Sequence, residues 1–207
     1  MIELKNISKR FGDKILFENL NLEIKDGEFI IFSGDSGCGK TTLLNIIGGL
    51  EKPDEGQVII DGLNAFNKKN QLDLYRYKFG FLFQNFALID NKTVRENLNV
   101  FKKMCLNGMS PETALAHVGL SDKMNSPVYE LSGGEQQRVA LARILIKKCN
   151  IILADEPTGS LDKRNADTVL SLLDEMNQFG KTVILVTHDE SIKNSGKRVV
   201  ELKNEKE

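Results

Sequence analysis

Residues 28–42 read EFIIFSGDSGCGKTT, and the reading of this stretch decides the rest. Ile30, Ile31 and Phe32 form a short apolar run suited to a strand buried on both faces. The run stops at Gly34, where Gly34-x-x-x-x-Gly39-Lys40-Thr41 has the spacing of a phosphate-binding loop. Gly37 and Gly39 permit backbone conformations that a Cβ opposes, so successive N–H groups can turn inward around an anion. A helix opening near Lys40 adds the partial positive charge of its N-terminus. Lys40 supplies an ammonium for β- and γ-phosphates, and the Thr41 hydroxyl suits Mg²⁺. Thr42 adds a further hydroxyl or N–H. Leu43, Leu44, Ile46 and Ile47 give the helix an apolar face, with Gly48-Gly49 as its expected end. A strand before the loop and a helix after it are the context the pattern demands, so nucleoside triphosphate binding is the expectation.

The chain has 207 residues, enough for one sizeable core with a subdomain. Helical patterns alternate with short apolar runs, which predicts α/β with a largely parallel sheet. A formal charge of −1 gives no overall basic character, so nucleic acid is not an expected partner. Lys102-Lys103 and Lys147-Lys148 read as solvated helix faces. No apolar run approaches the ~20 residues that span a bilayer, and the start, MIELKNISKRF, has no long apolar segment of a secretory signal. Cys38, Cys105 and Cys149 are far apart with no CxxC pair, as in reduced thiols of a cytosolic protein. Cys38 lies in the loop near a helix N-terminus, where a lowered thiol pKa would let an oxidant or alkylator block the site. The plainer reading is a tolerated small residue at a variable loop position.

Residues 2–7 and 16–24 look extended and are joined by a turn around Gly12-Asp13; Leu20, Leu22 and Ile24 alternate as in a half-exposed antiparallel strand. Phe11 stands among polar residues near the turn, and an exposed aromatic beside a nucleotide site can stack on the base. Pro53-Asp54-Glu55-Gly56 reads as a turn before the strand QVIIDG, and residues 67–78 as a surface helix. FGFLF, residues 79–83, is a further apolar run that ends at Gln84. From 85 to about 147 helical patterns take over, with Thr93 as an N-cap and Pro111-Glu112 opening a helix. Ser132-Gly133-Gly134-Glu135 precedes another helix and offers a second anion site. Ile151–Glu156 reads as a strand releasing Asp155 where a metal can be positioned, with Glu156 pointing elsewhere and placed to polarise a water. A helix over 163–179 closes at Gly180, the strand Thr182–Val186 delivers His188, and RVVELKNEKE gives a last strand and a frayed charged tail.

At LSGGEQQRVALAR, residues 131–143, the chain resembles the ATP-binding-cassette family, and the likeness runs through essentially its whole length. Phe11 matches the A-loop aromatic, and GDSGCGKTT matches the Walker A, bringing Ser36, Gly37, Cys38, Gly39, Lys40, Thr41 and Thr42 to the nucleotide. Gln84 matches the Q-loop, LSGGE the signature, IILADE the Walker B, Ser160-Leu161-Asp162 the D-loop and His188 the switch histidine. The resemblance implies a P-loop NTPase fold with an antiparallel β subdomain and an all-helical insertion. It divides one ATP-binding domain, 1–207, into an α/β core (1–84 and 148–207) and a helical part (about 85–147). It further implies two copies stacked head to tail on ATP, with Ser132, Gly133 and Gly134 of one on the γ-phosphate held by the other. Thr41 and Gln84 would ligate Mg²⁺, with Asp155 acting directly or through water. Glu156 would be the general base, while His188 bridges γ-phosphate, water and partner and Asp162 communicates across the dimer. Lys40 and Gln84 complete the catalytic set.

Short length and ADEPTGSLD resemble the MacB/LolD/FtsE-like ATPases, and FGFLFQNFALIDNKTVRENL is most like a bacteriocin-export branch associated with lactococcin-972-type systems. ALIDNKTV lacks the proline that many relatives carry between the Leu pair and Thr-Val, in the segment that meets the permease. The implied function is an ATPase subunit at the cytoplasmic face of the membrane that powers a separate integral-membrane permease, for export of a peptide, bacteriocin or other substrate. The alternative is FtsE-like mechanotransmission, which regulates a membrane or cell-wall partner without transport.

Overall fold

The computed structural model describes residues 1–203. β1 (Ile2–Phe11) and β2 (Lys14–Ile24) pair antiparallel across the two-residue turn Gly12-Asp13. Both strands outrun the expected 2–7 and 16–24. The ladder shifts register between Leu4 and Arg10, with Asn6 and Asn19 both at φ 52°, and these bulges carry polar residues where strict alternation fails. β3 (Phe29–Ser33) leads into α1 (Lys40–Ile47), which ends at Gly48-Gly49 as expected. β4 (Glu55–Ile60) and β5 (Leu63–Asn64) complete an antiparallel sheet in the order β2-β1-β4-β5. Gly56 belongs to β4 rather than to a turn. A Cβ there would sit 2.3 Å from the Asn6 carbonyl oxygen, so the bulge in β1 admits only glycine beside it.

α2 (Lys68–Tyr77) is the expected surface helix, capped by the Asn67 side chain accepting from the Lys69 N–H, with Leu74 buried. After β6 (Phe79–Leu82) come α3 (Val94–Leu98), α4 (Pro111–His117) and α5 (Gly133–Ile146), linked through short 3-10 turns. Thr93 and Ser132 each head a capping box, with Glu96 and Glu135. The stretch is helical apart from two isolated bridges, Thr93–Pro127 and Leu106–Lys147. β7 (Ile151–Asp155), α6 (Lys163–Gln178), β8 (Thr182–Val186), α7 (Glu190–Lys193) and β9 (Arg198–Glu201) finish the chain. The tail expected to fray, 204–207, lies outside the described residues.

The second sheet runs β6-β7-β8-β3-β9, with every neighbouring pair parallel. Its central strands are buried on both faces, which explains their unbroken apolar runs. Alternate residues feed two cores. Ile31, Ile152, Ala154, Val183 and Leu185 pack towards α3–α6, whereas Ile30, Phe32, Leu153, Ile184 and Val186 pack towards α1, α2 and the antiparallel sheet.

Lys147 departs from its expected solvated face. α5 stops one residue earlier, and Lys147 is buried, its ammonium donating to the carbonyls of Tyr75 (2.6 Å) and Phe79. Burial pushes its pKa down. The side chain thus joins the end of α2 and the start of β6 to the end of α5. Lys147→Met keeps the stem but leaves two carbonyls without their donor, so urea unfolding is expected to shift by about 1–3 kcal/mol towards lower stability. An unchanged midpoint would show that the tie contributes nothing.

Candidate functional site

In an open parallel sheet, ligands gather beyond the carboxyl ends of the strands, where loops and helix N-termini converge. Here β3 delivers Gly34–Gly39, β6 delivers Gln84, β7 ends in Asp155 followed by Glu156, and β8 is followed by Thr187-His188. Pairing of Phe32 with Val186, and of Val186 with Asp155, sets these ends level. A cavity of about 790 Å³ opens between them and the tip of the β1–β2 hairpin. Phe11, Ser36, Gly37, Gly39, Lys40, Thr41, Thr42, Gln84, Glu156 and His188 line it, as do Lys14 and Leu16.

The glycine loop behaves as its sequence requires. Gly37 and Gly39 have φ of 76° and 96°. At Gly39 a Cβ would also lie 2.7 Å from the Phe17 ring, so the hairpin seats the loop closely enough to exclude any side chain. Lys40 is buried, and its ammonium donates to the Gly34 and Asp35 carbonyls, at 2.8 Å each. Cys38 corrects one expectation. Its thiol is buried beneath the loop, 3.9 Å from the Lys40 Nζ, and does not line the cavity. Its side chain therefore packs the loop from below rather than meeting a ligand.

On the far wall the Thr41 hydroxyl donates to Asp155 Oδ1 at 2.9 Å. Burial raises the Asp155 pKa; the Thr41 hydrogen bond opposes that shift. Glu156 follows with φ of 43°, its N–H held by the Val186 carbonyl at 3.0 Å. A non-glycine residue in this region is strained, and Glu156 lines the cavity from this position. Its Oε2 lies 2.7 Å from His188 Nδ1. Thr41 and Asp155 are hard oxygen donors within reach of one another, a set that fits Mg²⁺, and the Gln84 carboxamide lines the same cavity.

Ser132, Gly133, Gly134 and Asp162 are not brought to this cavity. The Ser132 hydroxyl accepts from the Glu135 N–H at 3.3 Å, and its own N–H donates to the Glu135 carboxylate at 2.8 Å. Gly134 is buried against Asn165, whose side chain a Cβ would approach to 2.4 Å. Asp162 caps α6, accepting from the Asn165 N–H at 2.9 Å, which holds its carboxyl below the usual range. Lys14 and Leu16 line the cavity although no motif contains them. The signal available was position, since Lys14 follows the turn directly and pairs with Phe11.

The description "ABC transporter" belongs to the family model that matches residues 17–159. The chain belongs to the ABC transporter family. As an ABC ATPase it has the mixed α/β cassette fold of solved relatives. The cassette is 43% identical over 226 residues to an uncharacterized ABC transporter ATP-binding protein, MJ0796, of Methanocaldococcus jannaschii, covering 99% of this chain and 94% of that one. It is 41% identical over 211 residues to the macrolide export ATP-binding/permease protein MacB of Campylobacter jejuni. That alignment takes in 99% of this chain but 33% of the relative, so the chain spans about a third of the MacB length. Among solved structures, a dimeric post-hydrolysis state of the MJ0796 cassette bound to ADP and Pi superposes with a TM-score of 0.85 at 38% identity, covering 100% of this chain and 97% of that chain. No helix among the described residues is long and apolar enough to cross a membrane.

Desolvation at Asp155 has a consequence for the nucleotide-free ABC cassette. A carboxyl whose folded pKa is raised holds its proton longer folded than unfolded, so stability is lost as pH rises from the unfolded value, about 3.9, through the folded one. Asp155→Asn is therefore expected to raise the Tm at neutral pH, with the gain vanishing towards pH 3. A lower Tm at neutral pH would mean that the Thr41 contact outweighs burial.

Proposed function

We propose that this chain is the ATP-hydrolysing subunit of a transporter whose permease is a separate membrane chain, and that two copies close around ATP. The observation that carries the reading is the division of the site. Walker A, Q-loop, Walker B and switch residues line one cavity, while Ser132–Gly134 lie outside it on the same chain. A phosphate held by Lys40 is thus left open on one side, where the signature of a second copy would complete the shell. The dimeric state of the solved relative supports this arrangement.

In this reading the base stacks on Phe11, and the loop N–H groups from Ser36 to Thr42 and the Lys40 ammonium hold the phosphates. Thr41, Gln84 and Asp155 would hold Mg²⁺, which when bound neutralises charge on the β- and γ-phosphates. Glu156 accepts the proton of the attacking water. His188, beside Glu156, fixes its orientation and reaches the γ-phosphate, and Asp162 lies on the face offered to the partner. Most of the acceleration comes from positioning and electrostatics. The macrolide-export name of the MacB relatives favours export as the work performed, at the inner face of the membrane through the permease.

Glu156→Gln tests the assignment. Turnover is expected to fall about 10²–10⁴-fold while ATP affinity is kept, and size-exclusion chromatography with ATP should show an accumulated dimer. Hydrolysis at the wild-type rate would sink the role of Glu156.

A further inference from the structure

Two lysines line the nucleotide cavity, and the family motifs account for one of them. Lys14 opens β2, directly across the turn from Phe11 in the antiparallel register, so the two side chains leave the hairpin on the same face. Its ammonium donates to the Gly37 carbonyl at 2.9 Å, on the crest of the glycine loop. Among the described residues Lys14 forms no ion pair. The same holds for Lys40, which donates to the carbonyls of Gly34 and Asp35. Both cations of the cavity are therefore parked on backbone oxygens of one loop. A carbonyl is a weaker partner for an ammonium than a phosphate is.

We infer that Lys14 is a nucleotide-binding residue whose ammonium takes the α-phosphate. This inference rests on the nucleotide reading of the cavity proposed above. The order of groups along a nucleoside triphosphate fixes the assignment. Phe11 holds the base end and Lys40 the β- and γ-phosphates, so a cation that pairs with Phe11 and reaches Gly37 lies over the segment between them. Lys14 is exposed at the hairpin tip, and its unbranched stem lets the head leave Gly37 without disturbing the strand pairing. The antiparallel sheet then contributes both an aromatic surface and a charge to the ligand. A contact to the α-phosphate exists with ATP and ADP alike, which separates it from contacts to the γ-phosphate.

The test is nucleotide affinity of the full chain, measured with ATP and with ADP at several salt concentrations, for wild type, Lys14→Met and Lys14→Arg. The expected result is a loss of about 5–20-fold for both nucleotides in Lys14→Met, equal within error, as removal of one charge-assisted hydrogen bond implies. The salt dependence should also become shallower, because one cation–phosphate contact is gone. Lys14→Arg should bind close to wild type, since reach and charge are kept. Equal affinities for wild type and Lys14→Met would overturn the inference, as would a loss confined to ATP. A loss in Lys14→Met with unchanged salt dependence and no rescue by Lys14→Arg would reduce Lys14 to a prop for the Gly37 carbonyl and also overturn it. A wild-type chain that binds neither nucleotide would overturn the proposed function itself.

Discussion

Parallel pairing of β3, β8 and β7 is the constraint on which everything else depends. Phe32, Val186 and Asp155 lie in one row across three strands. A slip of one residue in either ladder would turn each strand's apolar residues to the wrong face and carry Asp155 out of reach of Thr41. The register is fixed because both faces are covered and the two cores take different residues from every strand. No polar face exists to accept a slip. A buried, non-negotiable sheet is thus what gives a site made of loop residues its precision.

The hairpin of β1 and β2 works against that sheet in a different way. Phe17 closes on Gly39 from one side, and Lys14 reaches Gly37 from the same strand. The glycine loop is consequently held from beneath by β3 and Cys38 and from the flank by β2. Gly39 is required twice, once for its positive φ and once because Phe17 leaves no room for a Cβ. Lys40 ties the loop from within, through the Gly34 and Asp35 carbonyls, and Lys14 ties it from the hairpin, through the Gly37 carbonyl.

Much of this was legible in the sequence. Motifs with fixed spacing, such as Gly34–Thr41 or Ile151–Glu156, encode local geometry, and the structure reproduces it. Strand ends marked by Gln84, Glu156 and His188 converge because parallel sheets leave few alternatives. The misreadings share a cause. Lys147 belongs to a polar pair in sequence, yet its stem is drawn inward by two carbonyls contributed from residues 75 and 79. Gly56 looked like a turn residue because its real constraint, the Asn6 carbonyl, is fifty residues away. Lys14 had no motif at all. In each case the deciding partner is distant along the chain, and single-sequence patterns hold no record of it.

The two glycine-containing helix starts differ in what they offer an anion. At α1 the first turn holds no carboxylate, and the donors of the loop face an open cavity. At α5 the Glu135 carboxylate already accepts the Ser132 N–H, and that hydrogen bond is the largest cause holding its pKa down. An anion approaching α5 therefore meets a carboxylate that is paired with Lys123 at 3.4 Å, whereas one approaching α1 meets Lys40 and Lys14 with no carboxylate in the first turn. In the proposed reading, phosphate would settle at α1 first and α5 of a second copy would engage it afterwards. The capping box of Ser132 and Glu135 already occupies two of the donors at the start of α5, which fits the proposed role of this helix as the later partner of the phosphate.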